Sequence, residues 1–250
     1  MIICNSNNFA VTRAQKTGGV SLEMYFLESG LVDTSNDIYT LEGGFANWEE
    51  FKAYSDAHDN LKYSELPRNL YGYDYLKEAQ KTYAEIIADG QAPVDMPWVG
   101  TIRHPLKWLA SLYYYANVRR KITATEHFKK YGHYLGTDLQ MAREVSEPDA
   151  SFDFVFDKMW DSSEVQDSLK TQTSYYPEHV QLFNIENIHE HATAFITAKG
   201  GSVTGQIETR KSDNDPTYYM DNLSDDRKQR ALDIYANDLA AWEKAYAVYN

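Results

Sequence analysis

Cysteine is almost absent from this chain: among 250 residues Cys4 stands alone. One thiol excludes an internal disulfide framework and any zinc site built from several cysteines, and no metal is expected. Cys4 itself reads as a small buried side chain near the start. Long hydrophobic runs are also missing. No stretch approaches the ~18 consecutive apolar residues of a membrane span. The opening MIICNSNNFAVTR has neither the basic flank nor the apolar length of a secretory signal. The expectation is therefore a soluble, cytoplasmic protein in a reducing compartment. Positive charge is scarce as well. With 24 Lys and Arg against 37 Asp and Glu, the formal net charge is −13, which argues against nucleic acid or another polyanion as the main partner. No internal period of the solenoid or propeller kind is present, and there is no low-complexity tract.

What the chain does have is ordinary globular composition, 43% hydrophobic and 24% charged, and a length sufficient for one substantial core. The few cations are unevenly placed. Arg103, Lys107, Arg119, Arg120, Lys121, Lys129 and Lys130 face only Glu126 within residues 101–130. A local basic island in an acidic protein suits a compact anionic ligand.

Periodicity and punctuation give an alternating order of elements. Short strands are expected at 9–13, 37–41, 98–103 and 180–185. Helices are expected at 18–31, 46–57, 74–89, from Pro105 onward, at 186–199, and from Ser224 almost to the end. Pro105 suits a first helical position. Ser224 suits an N-cap, with Asp225 and Asp226 in the turn that follows. Strands alternating with helices imply an α/β protein whose central sheet is mainly parallel and flanked by helices. Residues 1–250 read as a single domain, with 120–175 as a helical cap or insertion within it.

One junction carries chemistry. Residues 16–21 read KTGGVS where the first strand runs into the first helix. A helix N-terminus exposes unpaired N–H groups and a positive dipole end, which attract phosphate or sulfate. Gly18 and Gly19 would let an anion approach the backbone, Lys16 adds a mobile charge, and Thr17 and Ser21 offer hydroxyls. The same residues also make a plain turn. A kinase or GTPase loop needs glycines ahead of the lysine, whereas Val11, Thr12, Arg13, Ala14 and Gln15 stand there.

QKTGGVSLE resembles the PKTGGTSLE-type segment of sulfotransferases, and later segments follow that family's order. TIRHPLKWLASLYYY is similar to the strand–loop–helix with an arginine and a serine eight positions on, here Arg103 and Ser111. VQLFNIENI looks like the family's later strand, and LSDDRKQRALDIYANDLAAW like its closing helix. Gln15, Val20 and His104 replace a proline, a hydroxyl residue and an aspartate of the family pattern.

The resemblance implies a P-loop-like sulfotransferase fold and a donor, 3′-phosphoadenosine 5′-phosphosulfate (PAPS). It assigns the 5′-phosphosulfate to Lys16, Thr17, Gly18, Gly19, Val20 and Ser21, and the 3′-phosphate to Arg103 and Ser111. Lys16 would act on the leaving oxygen. The base that takes the acceptor's proton would be Glu42, just past the second strand, or His58. Gln172, in QTSYYP, would lie on the acceptor side. The tyrosines at 71, 73, 75, 113–115, 175 and 176 could stack on a sugar or simply pack. His189 and His191, two apart on a helix, face different ways and do not suggest a metal. The acceptor expected is a carbohydrate or small hydroxylated molecule of little charge. Two rivals are a nucleotide kinase or NTPase on a related core, and an anion- or nucleotide-binding module that has lost catalysis.

Overall fold

The computed structural model describes residues 1–39, 48–57, 81–114, 171–203 and 220–247. The described residues form an α/β protein with a mixed five-stranded sheet. In chain order the elements are β1 (Ile2–Cys4), β2 (Phe9–Val11), α1 (Gly19–Glu28), β3 (Ile38–Tyr39), α2 (Trp48–Ala57), α3 (Tyr83–Ala88), β4 (Trp98–Ile102) and α4 (Pro105–Tyr114). A 3-10 turn (Gln172–Tyr175), β5 (Gln181–Asn184), a second 3-10 turn (Ile185–Asn187), α5 (Ile188–Ala198), α6 (Asp225–Ile234) and α7 (Ala236–Ala247) follow.

The strand order is β3-β1-β2-β4-β5. β2 pairs with β4, and β4 with β5, in parallel, but β1 is antiparallel to both β2 and β3. The expected mainly parallel sheet is therefore a mixed one. The difference comes from β1, whose residues IIC are too few for periodicity to reveal and which gains its strand conformation by pairing on both sides. The last helix also differs from expectation. It is interrupted at Tyr235, so the apolar stripe read as one helix belongs to α6 and α7.

Two compact units are present. The first comprises Met1–Arg103, Gln172–Lys211 and Ala240–Asn250; the second comprises His104–Thr171 and Ser212–Leu239. The proposed cap at 120–175 lies outside the described residues except for its last few positions.

In the first unit the sheet is apolar on both faces, which is why IIC, FAV and WVGTI read as continuous runs and not as alternating ones. Ile2, Cys4, Phe9, Val11, Val99 and Phe183 pack with Leu22 and Phe26 of α1 and Ile188, Ala192 and Ile196 of α5. Successive strand residues point to opposite faces, so Ile3, Ala10 and Trp98 pack on the other side with Ile86 of α3. Thr82 and Glu85 start α3 with a reciprocal capping box. Beneath α1 the buried Glu23 carboxylate pairs with Arg13 at 3.0 Å and with the Met1 amino group. In the second unit Trp108 meets Tyr235 edge-on at 5.2 Å within a cluster that includes Leu106, Leu109, Leu223 and Ala231. No helix among the described residues is long and apolar enough to cross a membrane.

His104 opens α4. Its Nδ1 accepts the Leu106 N–H at 3.3 Å, while its carbonyl accepts from Trp108 N at 2.9 Å. An imidazole lone pair thus caps the first turn of α4, and it does so only with Nδ1 unprotonated. His104→Ala should lower the unfolding free energy by about 1 kcal/mol, whereas His104→Asp should leave it unchanged in urea titrations. Equal losses in both variants would show that the cap contributes nothing.

Candidate functional site

The site is built at the carboxyl ends of β2 and β4, the usual place for ligands on an open α/β sheet. Beyond the last paired residues the ladder continues with Thr12 N donating to Val99 O at 3.1 Å. The next rung of a parallel pair would run from Ala14 N to Thr101 O. The Tyr176 hydroxyl stands in that rung instead, accepting from Ala14 N at 3.0 Å and donating to Thr101 O at 2.6 Å. Burial pushes this phenol up to about 12, so it remains a neutral donor and acceptor. The two strands part here, and the loop 15–18 fills the gap.

Lys16 lies at the crest of that loop, half-buried, with φ +62°. Left-handed backbone is uncommon for a residue with a Cβ and concentrates where function holds it. Gly18 follows at φ +87° as the N-cap of α1, without a side-chain cap. The first helical hydrogen bond is donated by Leu22 N to Gly18 O at 3.2 Å, so the N–H groups of Gly19, Val20 and Ser21 precede the ladder.

The glycines have packing reasons of their own. A Cβ on Gly18 would lie 2.8 Å from Ile185 Cδ1, and one on Gly19 would lie 2.3 Å from Arg13 Cβ. The Arg13 stem runs directly under the first turn of α1. The Thr17 hydroxyl is likewise engaged inward: it is fully buried, donates to Ala14 O at 2.9 Å and meets Thr101 Oγ1 at 2.8 Å. With its one hydrogen given to Ala14, it cannot also donate to an anion; Thr17 offers only its backbone N–H. Ser21 is buried and Val20 half-buried.

Arg103, immediately after β4, reaches the same place. Its Nη1 lies 3.4 Å from Lys16 O. Its backbone is held by Gln172: Arg103 N donates to Gln172 Oε1 and Gln172 Nε2 donates to Arg103 O, both at 2.9 Å. Gln172 is 0% exposed. The acceptor-side role expected for it is therefore corrected, because its amide is used on the Arg103 main chain. Ser111 is half-buried on α4, within the second unit.

Glu42 and His58 lie outside the described residues, as do Tyr71, Tyr73, Tyr75 and Tyr115. Tyr175 and Tyr176 are buried with Ala14. His189 Nδ1 hydrogen-bonds Tyr25 Oη at 3.0 Å, and His191 is buried with its ring 5.3 Å from Phe183. No group of metal-ligating side chains is assembled among the described residues.

Two roles were missed by sequence reasoning. The Tyr176 bridge carried no local signal, and the Gln172 clamp was hidden behind its resemblance-based assignment. No protein-family model matches the chain, and neither a curated protein nor a solved structure is significantly similar to it.

Proposed function

We propose that the chain is a sulfotransferase that moves the sulfuryl group of PAPS to a hydroxyl of a carbohydrate or small hydroxylated acceptor. The observation that carries this reading is the meeting of Lys16 and Arg103, 87 residues apart, at the ends of neighbouring parallel strands. The Arg103 guanidinium reaches the carbonyl of Lys16, on the loop that leads into the N-terminus of α1, and a guanidinium with exposed helix N–H groups forms a donor set suited to a compact polyanion. On this reading β2, β4 and β5 are the core of a sulfotransferase-like sheet to which β1 has been added, and the enzyme works as a soluble cytoplasmic protein.

The residues present fit the donor's anionic groups. The N–H groups of Gly19, Val20 and Ser21 would hold the 5′-phosphate and Arg103 the 3′-phosphate, a role that the resemblance also gives to Ser111. PAPS supplies a sulfuryl group already activated on a phosphate. Lys16 would neutralise the negative charge that grows on the leaving oxygen. Glu42 or His58 would take the acceptor hydroxyl's proton, with the loop fixing an in-line approach. The inward engagement of the Thr17 hydroxyl favours a second reading, a nucleotide- or anion-binding module without transfer.

Calorimetric titration with 3′-phosphoadenosine 5′-phosphate, AMP and ATP tests the proposal. Binding should require the 3′-phosphate. Arg103→Ala should weaken the 3′-phosphorylated nucleotide by about 10- to 100-fold, the scale of one charge-assisted contact, and leave AMP unaffected. Binding of ATP alone would establish a kinase-like protein. Binding of none would leave KTGGVS as a turn. Normal binding without transfer to any acceptor would establish the second reading.

A further inference from the structure

Two strand ends that must act together are joined by little main-chain hydrogen bonding of their own. Past the Thr12–Val99 rung, side chains link the Ala14–Thr17 loop to β4. The Tyr176 hydroxyl bridges Ala14 N to Thr101 O, and the Thr17 and Thr101 hydroxyls meet each other. Arg103 is then held at both its N–H and its carbonyl by Gln172. Gln172 and Tyr176 come from one short segment, QTSYY, at a 3-10 turn. Both are buried, at 0% and 8% exposure, and neither is placed to touch an anion directly.

From this geometry we infer that Gln172 and Tyr176 are positioning residues, which lock the Lys16 loop and Arg103 into a single anion-binding unit. The consequence for binding rests on the anion-site reading above; the coupling itself rests on the hydrogen bonds alone. A phenol standing in a ladder rung holds the strands apart by the width of one oxygen, which makes room for the loop crest. A primary amide pairing both ways with one residue copies a strand partner, and so fixes the direction in which the Arg103 side chain leaves β4. Sequence-distant polar side chains thereby set where Arg103 stands relative to the Lys16 loop.

The test uses two conservative variants of the full chain. Tyr176→Phe removes one oxygen and keeps the ring over Gly100. Gln172→Leu keeps roughly the bulk but removes both the acceptor for Arg103 N and the donor for Arg103 O. Amide hydrogen exchange at neutral pH reads local opening. Tyr176→Phe should speed exchange at residues 14–21 roughly tenfold, and Gln172→Leu should do so at Arg103, with Ile2–Cys4 and Ile188–Ala198 at wild-type rates. Affinity for inorganic pyrophosphate should fall by about tenfold in each variant. A uniform rise in exchange across the sheet, unchanged exchange at 14–21 and Arg103, or a lowered Tm with pyrophosphate affinity intact would each overturn the proposal. If the wild-type protein binds no pyrophosphate, the anion-site reading fails by itself, and the exchange pattern still decides the coupling.

Discussion

Replacing Lys16 by glycine should raise the unfolding free energy by about 1 kcal/mol while removing the sulfuryl transfer proposed for the chain. At φ +62° a residue with a Cβ is held where glycine rests without cost, at a penalty of roughly 1–2 kcal/mol. The greater freedom of glycine in the unfolded chain takes back part of this gain. Transfer should nonetheless fall by about 100- to 1000-fold, the usual effect of losing one preorganised donor at a developing charge. Lys16→Ala separates the two effects. It keeps the Cβ and with it the backbone strain, so its stability should match the wild type while its transfer is lost equally. Urea titrations and an assay of transfer from PAPS give both readouts. Transfer that survives in either variant would remove Lys16 from the leaving oxygen, and a glycine variant less stable than the wild type would show that the loop stores no strain.

The second large effect is expected inside the sheet. A Cβ added at Gly100 would lie 2.3 Å from Tyr176 Cε1 and 2.8 Å from Cδ1. Gly100 is in β4, between β2 and β5, so the backbone cannot retreat and the ring must move. Its hydroxyl would then leave Thr101 O and Ala14 N. Overpacking alone costs about 1–3 kcal/mol, and each buried polar group left unpaired adds about 1–3 kcal/mol. Gly100→Ala should therefore remove roughly 3 kcal/mol or more, a large part of the about 5–15 kcal/mol that holds a typical protein folded. Combining it with Tyr176→Leu removes the clashing ring, so the double variant should be clearly less destabilised than the sum of its parts. Strict additivity would show that the ring and the glycine are not in contact.

The parts of this fold that could be read in the sequence were those with local causes. Short segments rich in apolar residues gave β2, β4 and β5, with Pro97 just ahead of β4. Pro105 marked the start of α4, and Gly30 and Gly200 followed the ends of α1 and α5. β1 was not legible because its conformation is imposed by two neighbours, and its antiparallel direction is a property of the pairing. The same division applies to the site. Lys16 and Arg103 stand in recognisable segments, but nothing near residue 172 or 176 indicates that their polar atoms are committed to residues 69 to 162 positions away. The role of His104 as a helix cap was likewise not read from the sequence.

The Tyr176 bridge also bears on the order in which the molecule can be made. Its partners are separated by 75 and 162 residues, and β5, which follows directly, completes the parallel run. Closing so long a loop is thermodynamically cheap, about 0.6 kcal/mol for each doubling of length, but contacts of high sequence separation form slowly. On the ribosome, β1, β2 and α1 emerge first, with the ends of KTGGVS already in place along the chain. The loop cannot take its final geometry until residue 176 has left the tunnel and swung back to Ala14. On the anion-site reading, binding would thus mature late in the nascent chain, once Tyr176 arrives.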